Sequence, residues 1–169
     1  MKAVLISIQP KWCELIASGK KTVEVRKTRP KNATPFKVYI YETMGLYKGS
    51  GGCLFNGRGK VIGEFVCYKI EAFAANAHTA HLVRTEQIAH SACIPMDKLV
   101  EYGYKSTHLY AWHISDLVIY DTPKKLGEFY HACKQPSGTD CSKCLDEGKT
   151  TYWSFTRPPQ SWAYCEELK

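Results

Sequence analysis

Long apolar runs are missing from this chain. No stretch of its 169 residues approaches the roughly 20 apolar residues that a membrane-spanning helix requires, so no membrane partner is expected. The opening "MKAVLISIQPKW" is too briefly apolar for a secretion signal, so a cytoplasmic location is expected, where the eight cysteines would stay reduced. A phosphate-cradling glycine loop is lacking too. Gly59-Lys60 is followed by Val61, and no glycine stands five places before Gly59, so this is not a nucleotide-binding P-loop. There is no internal repeat, and nothing suggests an organic cofactor. Carboxylates are scarce in one place: between Lys20 and Lys31, Glu24 alone opposes Lys20, Lys21, Arg26, Lys27, Arg29 and Lys31.

That window is net +5 in a chain whose total is +7, so most of the excess charge comes from one segment. A concentrated basic patch favours polyanions, usually nucleic acid or phosphorylated ligands. Composition is otherwise that of a soluble globule, 44% apolar and 23% charged, and the length suits a single domain over residues 1–169.

"AVLIS" (Ala3 to Ser7) reads as a strand buried on both faces. Pro10 fits a first helical turn, Trp12, Leu15 and Ile16 follow at helical spacing, and Gly19 stands where a left-handed cap is wanted. The spacing therefore predicts a short helix over Gln9 to Ser18. Beyond it, Val23 and Val25 alternate with Thr22, Glu24 and Arg26, a half-buried strand with its polar residues on one face. Phe36 to Glu42 and Lys60 to Phe73 are further strands. Between them, Met44 to Gly59 holds six glycines in sixteen residues, a loop or loose hairpin. Helices are expected around His78 to Ala89 and over Pro95 to Gly103. Strands are expected over Leu109 to Tyr120, with a break at Ser115-Asp116, and over Ser161 to Glu167. Several strands with few helices predict an α+β fold, a small barrel of mostly antiparallel strands flanked by short helices.

Lys21, Glu24 and Arg26 are the candidate site. If their face lines a hollow, lysine and arginine can hold a phosphate or steady an oxyanion, while the glutamate accepts a hydrogen bond or moves a proton. On an open, solvated face the same residues form an ion pair worth at most ~1 kcal/mol. Lys20, Lys27 and Arg29 would form the rim. Tyr41, just before the glycine-rich stretch, and Trp112 are candidates for stacking on bases. His113 follows Trp112, so one of the two is expected to point to the cleft. Cys13, Cys67 and Cys93 are expected to be small buried residues.

"HACKQPSGTDCSKCLDEG" is the second informative segment. Cys141 and Cys144 form a CxxC pair, with Cys133 eight residues upstream and His131 beside it, a donor set suited to a structural zinc ion. Cys165 or Cys53 are alternatives for the fourth ligand. The segment reads as a Cys-rich inserted loop at about residues 130–152, poor enough in apolar residues for a metal to hold it together.

Gly19-Lys20-Lys21-Thr22-Val23-Glu24-Val25-Arg26 fits Gly-x-Lys-x-x-Glu-x-Arg and resembles the signature of the ASCH domain family, whose members have a PUA-like barrel. "LISIQPKWCELIASGKKTVEVRK", "VYIYET", "KVIGEFVC" and "YAWHISDLVIYDTPKKLGEF" resemble the family's successive segments in order, over roughly Met1 to Phe129, and the likeness resumes at "RPPQSWAYCEEL". The resemblance is to a bacterial or prophage-encoded member. It implies an RNA- or nucleotide-binding cleft lined by the motif. Some family members instead hydrolyse N4-acetylcytidine, and one is a ribonuclease, so the resemblance also implies Lys21, Glu24 and Arg26 as catalytic residues if the protein is an enzyme. Lys21 matches the catalytic lysine of the amidohydrolases, whereas Glu24 replaces a threonine of theirs, and Glu86 is a loose candidate for their later glutamate. A third class, a protein-docking module, would use the glycine-rich and cysteine-rich segments.

Overall fold

The structure is a computed structural model that describes residues 2–48, 52–74, 82–132 and 154–168. Its elements, in chain order, are β1 (Lys2–Ile8), α1 (Pro10–Ala17), β2 (Val23–Arg26), β3 (Phe36–Glu42), β4 (Leu46–Lys48), β5 (Leu54–Asn56), β6 (Lys60–Phe73), α2 (Leu82–Ser91), α3 (Met96–Gly103), β7 (Leu109–Lys124) and β8 (Trp162–Glu166). The mixed α+β expectation holds. Six strands are ordered β2-β7-β6-β3-β1-β8, and β4 and β5 form a separate hairpin within the glycine-rich stretch. No pairing closes the sheet into a barrel among the described residues. β2 has only four residues, and the Thr22 N–H just before it donates to the Ser91 carbonyl rather than to a strand.

The chain divides into two compact units. One comprises residues 1–10, 37–64 and 118–169, the other residues 11–36 and 65–117. In the first, β1 pairs in parallel with β3 (Val4 opposite Val38) and antiparallel with β8 (Leu5 opposite Ala163). Being central, β1 buries every residue from Ala3 to Ile8, which is why its sequence is continuously apolar rather than alternating. Its core gathers Leu5, Tyr39, Tyr41, Val61, Phe129 and Phe155. Gly63 lets the backbone approach closely, since a Cβ there would collide with the Val118 carbonyl oxygen.

The second unit carries the motif. Val23 and Val25 join Phe73, Ile88, Ala89, Ala92, Leu99, Leu109 and Ala111 in its core, as the alternation of β2 requires. α1 ends at Ala17, and Gly19, two residues on, has a φ of +73°, the left-handed conformation expected there. α3 starts after Pro95 and ends at Gly103, as expected, while the described part of α2 runs to Ser91, two residues beyond the expected end. β7 continues through Ser115 and Asp116 instead of breaking. Asp116 takes a φ of +47°, and the Ser115 hydroxyl donates to the Val66 carbonyl at 3.3 Å, so the kink is absorbed without ending the strand.

Cys133, Cys141 and Cys144 lie outside the described residues. His131 is exposed and bridges Cys165 through the backbone, with its ring centroid 3.7 Å from that of Phe155. Among the described residues no group of three or more His, Cys, Asp or Glu could hold a metal, and no helix is long and apolar enough to cross a membrane.

Candidate nucleic-acid interface

The turn between α1 and β2 is tied down by backbone before any side chain is considered. The Lys21 N–H donates back to the Leu15 carbonyl and the Thr22 N–H to the Ser91 carbonyl, both at 2.9 Å. The Cys93 thiol donates to the Lys20 carbonyl at 3.4 Å, so this half-buried cysteine is an anchor rather than inert packing. Docked this way, the turn sends Lys21 inward. Its side chain is among the largest fully buried ones, at 2% exposure.

A buried ammonium must be matched. Lys21 Nζ donates to the Ala92 carbonyl at 2.8 Å, pairs with Glu24 Oε2 at 3.2 Å and lies 5.0 Å from the centre of the Trp12 ring. The other Glu24 oxygen, Oε1, is 3.0 Å from Arg26 Nη2. One carboxylate thus bridges two cations, and the group keeps a single positive charge. Glu24 is buried, while 11% of the Arg26 side chain is exposed. Lys21, Glu24 and Arg26 are therefore no decoration on a valine strand. They form an enclosed cationic group whose most exposed member is Arg26.

Pairing of β2 with β7 decides what surrounds it. Glu24 faces Trp112, and Arg26 faces Tyr110. Residues directly opposite in an antiparallel pair share a face. Trp112, not His113, is therefore the residue on the motif's side. It is fully buried, edge-on to Phe36 with ring centroids 5.9 Å apart, and offers no open ring. Tyr41 is buried in the core of the other unit. Lys20, Lys27 and Arg29 are exposed. Lys27 Nζ lies 5.1 Å from the Tyr102 ring centre and the Arg29 guanidinium 5.8 Å from that of Tyr110. Tyr102 and Tyr110 were not among the expected site residues. The alternation of Tyr110 with Trp112 along β7 was a usable signal, but Tyr102, on a helix far along the chain, gave none.

His113 points to a second polar cluster on the opposite face of β7. There Arg84 grips Glu71 with two hydrogen bonds of 2.6 Å, Lys69 adds one of 2.9 Å, and His113 Nε2 lies 3.6 Å from Glu71. The Arg84 hydrogen bonds hold the Glu71 carboxyl down at about 2. Burial, then Lys69, lowers the His113 pKa. Glu86 is exposed on α2.

The motif thus forms an enclosed Lys–Glu–Arg group behind an exposed cationic rim. The ASCH domain family matches residues 6–120, and the chain belongs to that family. Among solved structures it is similar to an ASCH protein from Zymomonas mobilis, with 20% identity and a TM-score of 0.63, over 98% of this chain and 88% of that one. Two mutants of the Z. mobilis protein are similar to the same degree, each with 20% identity and a TM-score of 0.62; coverage is 99% of this chain and 92% of that one for the first, and 98% and 89% for the second. At this identity the likeness shows the fold. No curated protein matches the chain.

Proposed function

We propose that this ASCH-domain protein binds RNA or a nucleotide through the basic face of its second unit. The observation that carries the reading is the fate of Glu24. The one carboxylate of the basic segment is consumed inside by Lys21 and Arg26, which leaves Lys20, Lys27 and Arg29 outside with no acidic neighbour in their own segment. Lys21 and Glu24 orient Arg26 and set the local charge; Arg26 and the rim cations meet phosphate. Anisotropy titrations of labelled single-stranded RNA across a salt series test this. Lys27→Ala and Arg29→Ala should each weaken binding and flatten the salt slope by about one. A wild-type protein that ignores RNA and nucleotides at low salt, or slopes that these changes leave untouched, refutes the reading.

One observation favours a second reading, a hydrolase of N4-acetylcytidine or of RNA. A fully buried lysine beside a buried carboxylate is a costly arrangement that catalytic sites use for proton transfer and oxyanion stabilisation. In amide hydrolysis Glu24 would take a proton from water as it attacks the acetyl carbonyl, Lys21 or Arg26 would face the developing oxyanion, and the Glu24 carboxyl would return the proton to the N4 nitrogen as the C–N bond breaks, releasing cytidine and acetate. Chromatography of N4-acetylcytidine incubated with the protein discriminates the two. Release of cytidine and acetate supports the enzyme, and binding without turnover supports the reader.

The cysteine segment is proposed to hold one structural zinc ion through Cys133, Cys141, Cys144 and His131. Metal analysis should return one zinc per chain, reduced in a Cys141→Ser variant.

A further inference from the structure

Two tyrosines border the open end of the cationic group, and phosphate binding alone gives them no task. Tyr110 faces Arg26 directly across the β2–β7 pair and so stands on the motif's side of the sheet. Tyr102 comes from the last turn of α3. That helix buries Leu99 and Gly103 in the core, yet Tyr102 stays 39% exposed. Its phenol feels the charges of both Arg26 and Glu24 and is hydrogen-bonded to the Lys27 backbone, so the ring is held at the edge of the group. Each ring carries its own cation, Lys27 on Tyr102 and Arg29 on Tyr110. The same unit, a tyrosine ring with a basic side chain over it, thus occurs twice around one half-buried arginine.

A ring beside a cation is the combination that binds a single-stranded nucleotide, the ring taking the base and the cation the phosphate. Two such pairs call for two consecutive nucleotides. We infer that Tyr102 and Tyr110 are base-stacking platforms and that the ligand is a single strand of at least two nucleotides, not a free mononucleotide. This inference rests on the nucleic-acid reading of the same face and narrows it.

The test uses the full chain with labelled uridine mono-, di- and hexanucleotides, and heparin as a polyanion without bases. The hexanucleotide should bind at least tenfold more tightly than the mononucleotide. Tyr102→Leu and Tyr110→Leu should each weaken hexanucleotide binding roughly fivefold to hundredfold. They should leave the salt slope and heparin binding unchanged, and Tyr110→Phe, which keeps the ring, should bind like wild type. Crosslinking of 5-iodouridine RNA to the unaltered protein should map to Tyr102 or Tyr110, a readout that does not depend on any variant folding. Equal affinity for mono- and hexanucleotide, leucine variants that bind the hexanucleotide like wild type or lose heparin equally, or crosslinks confined to other residues each overturn the inference. RNA binding that depends on Lys27 and Arg29 but not on the tyrosines removes this inference alone. Failure of the wild type to bind any RNA removes the broader reading with it.

Discussion

Replacing Lys21 by methionine tests whether the buried cationic group is a single energetic unit. Methionine keeps most of the volume and the apolar stem, so the change removes charge more than packing. In the native protein Lys21 Nζ sits 2.8 Å from the Ala92 carbonyl and 3.2 Å from Glu24, which is itself 3.0 Å from Arg26. Without the ammonium, Ala92 loses its side-chain donor, and Glu24 keeps one cation where it had two. Breaking a buried ion pair costs about 3–5 kcal/mol when the survivor is stranded. Arg26 remains beside Glu24, so the expected loss is ~2–4 kcal/mol, the lower half of that range being reached if water enters. A second change, Glu24→Gln, then removes the carboxylate charge as well, while its amide oxygen can still accept from Arg26. The double variant carries the same single positive charge as the native group. It should cost less than the sum of the two single variants, with a coupling of ~1–3 kcal/mol. Urea denaturation reads this directly: at a slope of about 2 kcal/mol per molar, Lys21→Met should lower the midpoint by on the order of 1–2 M. A surface pair would give ~0–1 kcal/mol. If Lys21→Met lies within that range, or if the two changes add without coupling, the three side chains do not act together and the account of Arg26's orientation fails.

Acid should destabilise the second unit by two routes of the same sign. Glu71 titrates at about 2 when folded, mainly through its hydrogen bonds with Arg84, so its contribution is intact above the ordinary carboxylate value of 4.5 and is lost as pH falls from there toward 2. Burial lowers the pKa of His113, so the unfolded chain takes up that proton first and stability declines as pH drops below 6.5. Glu71→Gln should reduce stability near neutrality and flatten the loss between pH 4.5 and 2; an unchanged pH slope would count against the cluster. Burial also pushes the Cys67 and Cys165 thiols up to about 12, while Cys53 is exposed. Iodoacetamide at neutral pH should therefore modify Cys53 well before either of the others in the folded protein, and labelling of all three at one rate would contradict the packing.

What could be read from residues alone was local. The apolar run of β1, the cap at Gly19 and the valine alternation of β2 each depend on neighbours within a few positions, and each stands in the structure as expected. The polar face of β2 was legible as a face, but not as a buried one. Period-two alternation says which residues share a side and is silent on what covers it. Here the cover comes from residues 91–93 and from β7, joined to the motif by contacts that span about seventy positions or more. The same gap explains the stacking candidates. Tyr41 and Trp112 are stacking candidates by type and strand position, yet one packs into a core and the other is fully buried opposite Glu24. Tyr102 and Tyr110 reach the rim only because Arg26 registers against Tyr110 and α3 brings its last turn to the Lys27 backbone. A one-residue slip between β2 and β7 would put His113 or Ala111 opposite Glu24 and carry Tyr110 away from Arg26. The motif therefore supplies the charges, and the register of a distant strand decides which rings stand beside them.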